Sequence, residues 1–257
     1  MKLVRRLLVK LIGIKAYLKI VSKTYLKLTN IGFFKSSYPE LFFLDKFIQP
    51  DWVCIDIGAN LGYYSNRILR NIKTGKLIAV EPIPLFAEIW QSNISTLKSD
   101  KTLFNVALGD QTQMVKMSIP IQDGVVRHGL TKVDDGSNVE NAALSFDVSM
   151  KRGDDIFGSL ERLDFIKIDV EGYEQFVLKS IEQTIFKHLP FIQIELGGEE
   201  NKMNSYSFLS ACGYAAFKLS QGKLYSFPKN ELSSLHQDLY FVHESRQNEL
   251  KFVLAEK

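Results

Sequence analysis

The chain has 257 residues, 46% hydrophobic and 24% charged, a balance that suits one globular domain with additions and excludes a disordered or fibrous polypeptide. Two cysteines, Cys54 and Cys212, rule out a disulfide framework or a cysteine-built zinc site. The formal charge of +3 hides an asymmetry: residues 1 to 39 carry nine Lys or Arg and no acid, leaving 23 basic against 29 acidic residues downstream. A mildly acidic main body with no basic cluster argues against a nucleic-acid partner.

Residues 1–45 read as a basic amphipathic helical extension. Lys10, Lys15 and Lys19 interrupt its apolar residues well before the ~20 needed to span a bilayer, and no cleavage-site pattern follows. Lys15, Lys19, Lys23 and Lys27 recur along one side of a helix, with Leu11, Ile14, Leu18, Val21, Tyr25 and Leu28 on neighbouring faces. Two placements suit this pattern: contact with an anionic membrane surface through residues 1–30, or packing on protein with the lysines in water. The expected location is cytoplasmic, at the inner face of a membrane in the first case.

Residues 46–257 alternate short β-rich runs with helical patterns. "WVCIDIG" (52–58), "KLIAVEP" (76–82), "TLFNVALGD" (102–110), "LDFIKIDVEG" (163–172) and "PFIQIELGG" (190–198) are strand candidates. "YYSNRILRNI" and "PLFAEIWQSNIS" are helices between the first of them, and "AAFKLSQGKLYSF" and "DLYFVHES" supply closing strands. The alternation predicts a mostly parallel α/β sheet covered on both faces. Ligands of such sheets bind beyond the carboxyl ends of the strands.

The turn "CIDIGANLGYYS" discriminates between cofactors. A dinucleotide fingerprint beginning at Gly58 would place its other glycines at Asn60 and Tyr63, so it fails twice. S-adenosylmethionine has no phosphate and carries a cationic amino group and a sulfonium, so a carboxylate before the turn favours it. Asp56 can face the cation, Gly58 and Gly62 can open the backbone, and Asn60 can bond polar groups of ligand or loop. Glu81, ending the second strand, can accept from ribose hydroxyls.

"IDIGANLGYYS", "AVEPIPLFAEIWQSNI", "NVALGD" and above all "DFIKIDVEGYEQFVLKS" resemble, in order from about residue 51 to 198, the FkbM family of S-adenosylmethionine-dependent methyltransferases. The resemblance implies a Rossmann-like seven-stranded class I methyltransferase fold, with O-methylation of sugars, glycan or glycolipid precursors, or secondary metabolites. It extends the cofactor set to Ala59, Pro82, Ala107 and Asp169. Upstream of "IKIDVEG" the chain departs from the family: Asp154 and Asp155 match, but their lead-in "KRG" does not.

Methyl transfer to oxygen is an in-line displacement, aided by holding both reactants in place and by a base for the hydroxyl proton. Alternation along an extended chain sends Lys167, Asp169 and Glu171 to one side, and the family resemblance makes these carboxylates substrate-facing or cofactor-adjacent. His128, in an insertion expected to cover the substrate, is a further base candidate. Asp169, Glu171 and Glu195 could also meet around a divalent cation, but no metal is assigned. The acceptor is expected to be a small molecule or glycan; a protein acceptor and an inactive cofactor-binding module are the alternatives.

Overall fold

The computed structural model describes residues 2–122, 125–126, 132–133 and 142–255. Helix α1 (Lys2–Asn30) is broken at Gly13, whose φ of 77° and ψ of 158° are not helical. Helix α2 (Pro39–Phe47) starts with proline, which needs no N–H partner at that position, and buries Leu41, Phe42, Phe43, Leu44 and Phe47. β1 (Val53–Ile57), α3 (Tyr63–Asn71), β2 (Lys76–Val80), α4 (Pro84–Ile94) and β3 (Asp100–Phe104) follow. These elements fall where the apolar runs and helical periods place them.

The predicted third strand, in contrast, is two. After Phe104 the Asn105 side chain donates to the carbonyls of Glu81 (2.7 Å) and Pro82 (3.0 Å), and β4 (Ala107–Leu108) joins a different sheet. That sheet contains β5 (Gln113–Gln122), β6 (Val125–Val126), β7 (Lys132–Val133) and β8 (Ala142–Lys151). After α5 (Gly153–Phe157) the main sheet resumes with β9 (Phe165–Ile168), followed by α6 (Glu174–Ser180), α7 (Glu182–His188), β10 (Phe191–Ile194) and α8 (Glu199–Ala211). The hairpin β11 (Tyr214–Ser220) and β12 (Lys223–Ser226) and the inserted β13 (Leu239–His243) complete it. Asp154, in the segment that departs from the family pattern, accepts from Thr184 N (2.9 Å) and Thr184 Oγ1 (2.7 Å), so it caps α7.

The main sheet runs β12-β11-β13-β10-β9-β1-β2-β3. The five strands β10, β9, β1, β2 and β3 are parallel, and β13 enters antiparallel between β10 and β11. The expected seven strands are present, with β12 added at the edge. One face packs Ile55, Ile57, Ile166, Ile168, Ile192 and Ile194 against α6 and α8. The other packs Cys54, Phe165 and Phe191 beneath α2 and α3, where Phe47 meets Trp52, Phe165, Phe191 and Tyr240 edge-on.

A third apolar cluster joins α1, α4 and the second sheet through Leu18, Leu61, Ile83, Phe86, Ile89, Met117, Ile119 and Val148. From Ile14 onward α1 is therefore packed on protein. Asn93 fixes it further, donating to Ser22 Oγ (2.9 Å) and to the Leu61 carbonyl (2.8 Å), while Lys15 pairs with Glu88. Among the described residues no helix is long and apolar enough to cross a membrane.

Candidate active site

Chain order along the sheet reverses between β1 and β9, the position at which an open α/β sheet leaves a crevice beyond its strand ends. A cavity of about 170 Å³ lies there. Its floor is Asp56, Gly58, Ala59, Asn60, Lys167 and Asp169, and its walls are Tyr25, Tyr38, Leu41, Tyr63 and Tyr64. The sequence-predicted Asp56, Gly58, Ala59, Asn60 and Asp169 thus come together. The tyrosine walls come from α1, α3 and the approach to α2, and nothing in the local pattern marked Tyr25 or Tyr38 for this place.

Parallel register explains the floor. Asp56 stands opposite Lys167, Lys167 opposite Gln193 and Gln193 opposite Tyr240, so four polar side chains cross the α2/α3 face of the sheet in one row. Lys167 is fully buried. Its Nζ lies 3.3 Å from Asp238 Oδ2 and 3.7 Å from Asp169 Oδ2, donates to the Ile168 carbonyl (3.3 Å), and sits 4.9 Å from the centre of the Tyr64 ring. Burial works against its charge, but Asp238, Asp169, Glu195 and Asp56 together outweigh burial and push its pKa above the ordinary lysine value. Asp238, which also accepts from Gln193 Nε2 at 2.7 Å, is a site residue that sequence reasoning missed.

Asp56 is buried and accepts a short hydrogen bond from Ser65 Oγ, which accepts in turn from Trp90 Nε1 at 2.7 Å. Burial pushes the Asp56 carboxyl up to about 6, against the pull of Ser65 and Lys167. Glu81 does not line the cavity. Its Oε2 accepts from the Asn60 amide and its Oε1 from the Ile83 amide, both at 2.8 Å, binding the turn after β1 to the end of β2. Burial raises Glu81 to about 7 despite those amides.

The turn itself is left-handed at Gly58, Asn60 and Gly62, with φ of 80°, 48° and 89°. Gly58 has a further steric reason to be glycine: a Cβ there would collide with the backbone carbonyl oxygen of Asp169. A Cβ on Gly62 would lie 3.0 Å from Trp90 Cδ1. Both glycines serve close packing within the chain as well as the opening of the turn.

The expected alternation ends with the strand. Asp169 keeps the side of Lys167, but Glu171 has a φ of 55° and Gly172 one of 94°, so the chain turns away and Glu171 is not in the cavity lining. Glu171 contributes to the negative field at Glu195. Glu195, which keeps a solvent-exposed edge, has its pKa raised by burial of its inner side and then by Asp169, with Lys167 opposing. Glu174 is buried and structural: its Oε1 accepts from the Gly172 amide (2.9 Å) and its Oε2 from Asn201. Among the described residues no group of three His, Cys, Asp or Glu is arranged to hold a metal ion. Ala107 packs in the third apolar cluster, Pro82 accepts from Asn105, and neither lines the cavity. His128 lies outside the described residues.

A mostly parallel sheet with this crossover, a buried carboxylate near the end of β1 and a half-buried one following β9 give the Rossmann-like class I methyltransferase fold. A family model described as the Methyltransferase FkbM domain matches residues 56–216. The chain is 27% identical over 158 residues to methyltransferase sdnD of Sordaria araneosa, covering 50% of this chain and 60% of the relative. It is 29% identical over 162 residues to the 2-O-methyltransferase NoeI of Sinorhizobium fredii, covering 59% and 66%. Less than two thirds of either relative's length is thus matched. A crystal structure of methyltransferase FkbM from Methylobacillus flagellatus KT superposes with a TM-score of 0.48 at 17% identity, over 76% of this chain and 44% of that one. The chain belongs to the FkbM methyltransferase family, and its cofactor is S-adenosylmethionine.

The donor set fits that cofactor. Asp56 and Asp169 offer acceptors to an ammonium at the cavity floor. Each Glu81 oxygen accepts one protein amide and retains a lone pair for a further donor.

Proposed function

We propose that this enzyme methylates a hydroxyl oxygen of a sugar, glycan or glycolipid precursor. The observation that carries the reading is the cavity lining, in which Tyr25, Tyr38, Tyr63 and Tyr64 share one cavity with the carboxylates Asp56 and Asp169. Aromatic faces pack against the C–H faces of sugar rings, and carboxylates accept from sugar hydroxyls. The surplus of acids around the single Lys167 disfavours a phosphate beside the reacting atoms. The relative NoeI, a 2-O-methyltransferase, adds support for oxygen as the acceptor atom.

Bound S-adenosylmethionine supplies an electrophilic methyl group. The chain's part is to orient an acceptor hydroxyl between the tyrosines and the floor, where Asp169 is placed to accept its proton. Lys167 pairs with Asp169 at 3.7 Å and holds that carboxylate in position. Glu171 and, beyond the described residues, His128 are kept as secondary base candidates. On this reading residues 46–257 are the catalytic domain and residues 1–45 an extension that helps to wall its cavity.

The test is incubation with methyl-labelled cofactor and fractionated cell extract, for the wild type and for Asp169→Asn. Label in the glycan or glycolipid fraction, falling 10²- to 10⁴-fold in the variant, is expected of a lost base. Label confined to protein or to non-sugar metabolites overturns the acceptor class. An undiminished rate in Asp169→Asn overturns its role.

A further inference from the structure

The first turns of α1 belong to none of the three apolar clusters. Before the break at Gly13, Val4, Leu7, Leu8, Leu11 and Ile12 are all exposed, Leu11 to 69%. Val4, Leu7, Leu8 and Leu11 follow the i, i+3, i+4, i+7 spacing of one helical face, with Arg5, Arg6 and Lys10 beside it. More apolar surface is exposed where α1 ends, at Ile31 and Phe33. The five side chains before Gly13 keep between 41% and 69% of their surface exposed, and solvent is an unfavourable neighbour for a row of apolar side chains.

We infer that this segment docks the enzyme on an anionic lipid bilayer. Charge selects the occupant. Nine cations and no acid lie in residues 1 to 39, so a second copy would bring like charge against like, whereas anionic headgroups complement it. Downstream, 29 acidic residues outnumber 23 basic ones, and that net negative charge disfavours the same surface, so the N-terminal helix is the end that approaches. The pattern is interfacial, since no helix among the described residues can cross a membrane. Beyond Gly13 the same helix packs on the main body and contributes Tyr25 to the cavity, so the docking segment and the cavity wall share one helix. The inference stands apart from the nature of the acceptor.

Co-sedimentation of the full chain with vesicles tests it. The protein is expected to pellet with phosphatidylglycerol-containing vesicles at low ionic strength, several-fold less at high ionic strength, and little with phosphatidylcholine alone. Leu7→Glu/Leu11→Glu is expected to abolish pelleting while S-adenosylhomocysteine affinity, read by calorimetry, stays unchanged. If that variant fails to fold, Arg6→Gln/Lys10→Gln, which keeps the apolar stripe, is expected to pellet several-fold less than the wild type. Wild-type protein that stays in the supernatant, or pellets equally with both vesicle types, overturns the inference. So does a variant that pellets like the wild type, or a dimer by size exclusion that the glutamates dissociate while vesicle binding persists.

Discussion

Lys167→Met removes, among the described residues, the one cation paired with both Asp169 and Asp238 while keeping much of the side-chain volume. At an effective dielectric constant of about 20, the Asp238 contact at 3.3 Å is worth about 5 kcal/mol and the Asp169 contact at 3.7 Å about 4.5 kcal/mol. Desolvation of the fully buried ammonium offsets much of this sum, and breaking such a cluster by removing one partner costs about 3 to 5 kcal/mol net. In the variant Asp56, already raised by burial, loses the Lys167 charge that opposes its shift, so its folded-state pKa rises further above the unfolded value. The folded variant then binds more protons than its unfolded chain, and its stability falls as pH rises from about 4. Urea unfolding of wild type and variant at pH 5 and pH 8 should show the larger deficit at pH 8. Adding Asp238→Asn should recover part of it, because the two side chains share one interaction. A deficit below about 1 kcal/mol at pH 8, or one independent of pH, would refute the view that Lys167 neutralises this floor.

Two further outcomes follow from the same site. Asp56 and Glu81 have pKa values raised to about 6 and about 7, so in the cofactor-free chain their ionisation penalises the fold progressively as pH climbs from about 4 to 7. A cofactor ammonium beside Asp56 favours its ionised form. S-adenosylhomocysteine affinity should therefore rise through pH 6, with proton release seen by calorimetry in buffers of different ionisation enthalpy; proton uptake would contradict the assignment. Gly58→Ala combines a φ of 80° with a clash against the Asp169 backbone, which cannot swing aside as a side chain can. A loss of about 2 to 3 kcal/mol is expected, read as a lower Tm together with weaker cofactor binding, and an unchanged Tm would show that the strand ends can part freely.

The sequence by itself determined β1, α3, β2, α4, β9 and β10, because each is marked by its own apolar run or helical period. It also determined the cofactor class, since the missing glycines at Asn60 and Tyr63 and the carboxylate at Asp56 are local facts. Periodicity showed that α1 has faces, but not that Leu18 and Ser22 are buried against α4 and the second sheet while Leu7 and Leu11 stay exposed. Alternation carried Lys167 and Asp169 to one side and then failed at Glu171, where a left-handed residue ends the pleat. Asp238 beside Lys167, the Asp169 carbonyl behind Gly58 and Tyr25 above the cofactor turn were decided only in three dimensions. Backbone preference is set by neighbours a few positions away. The neutralisation of a buried lysine and the room for a Cβ are set by strands and helices that the chain brings together from distant positions, so no local pattern encodes them.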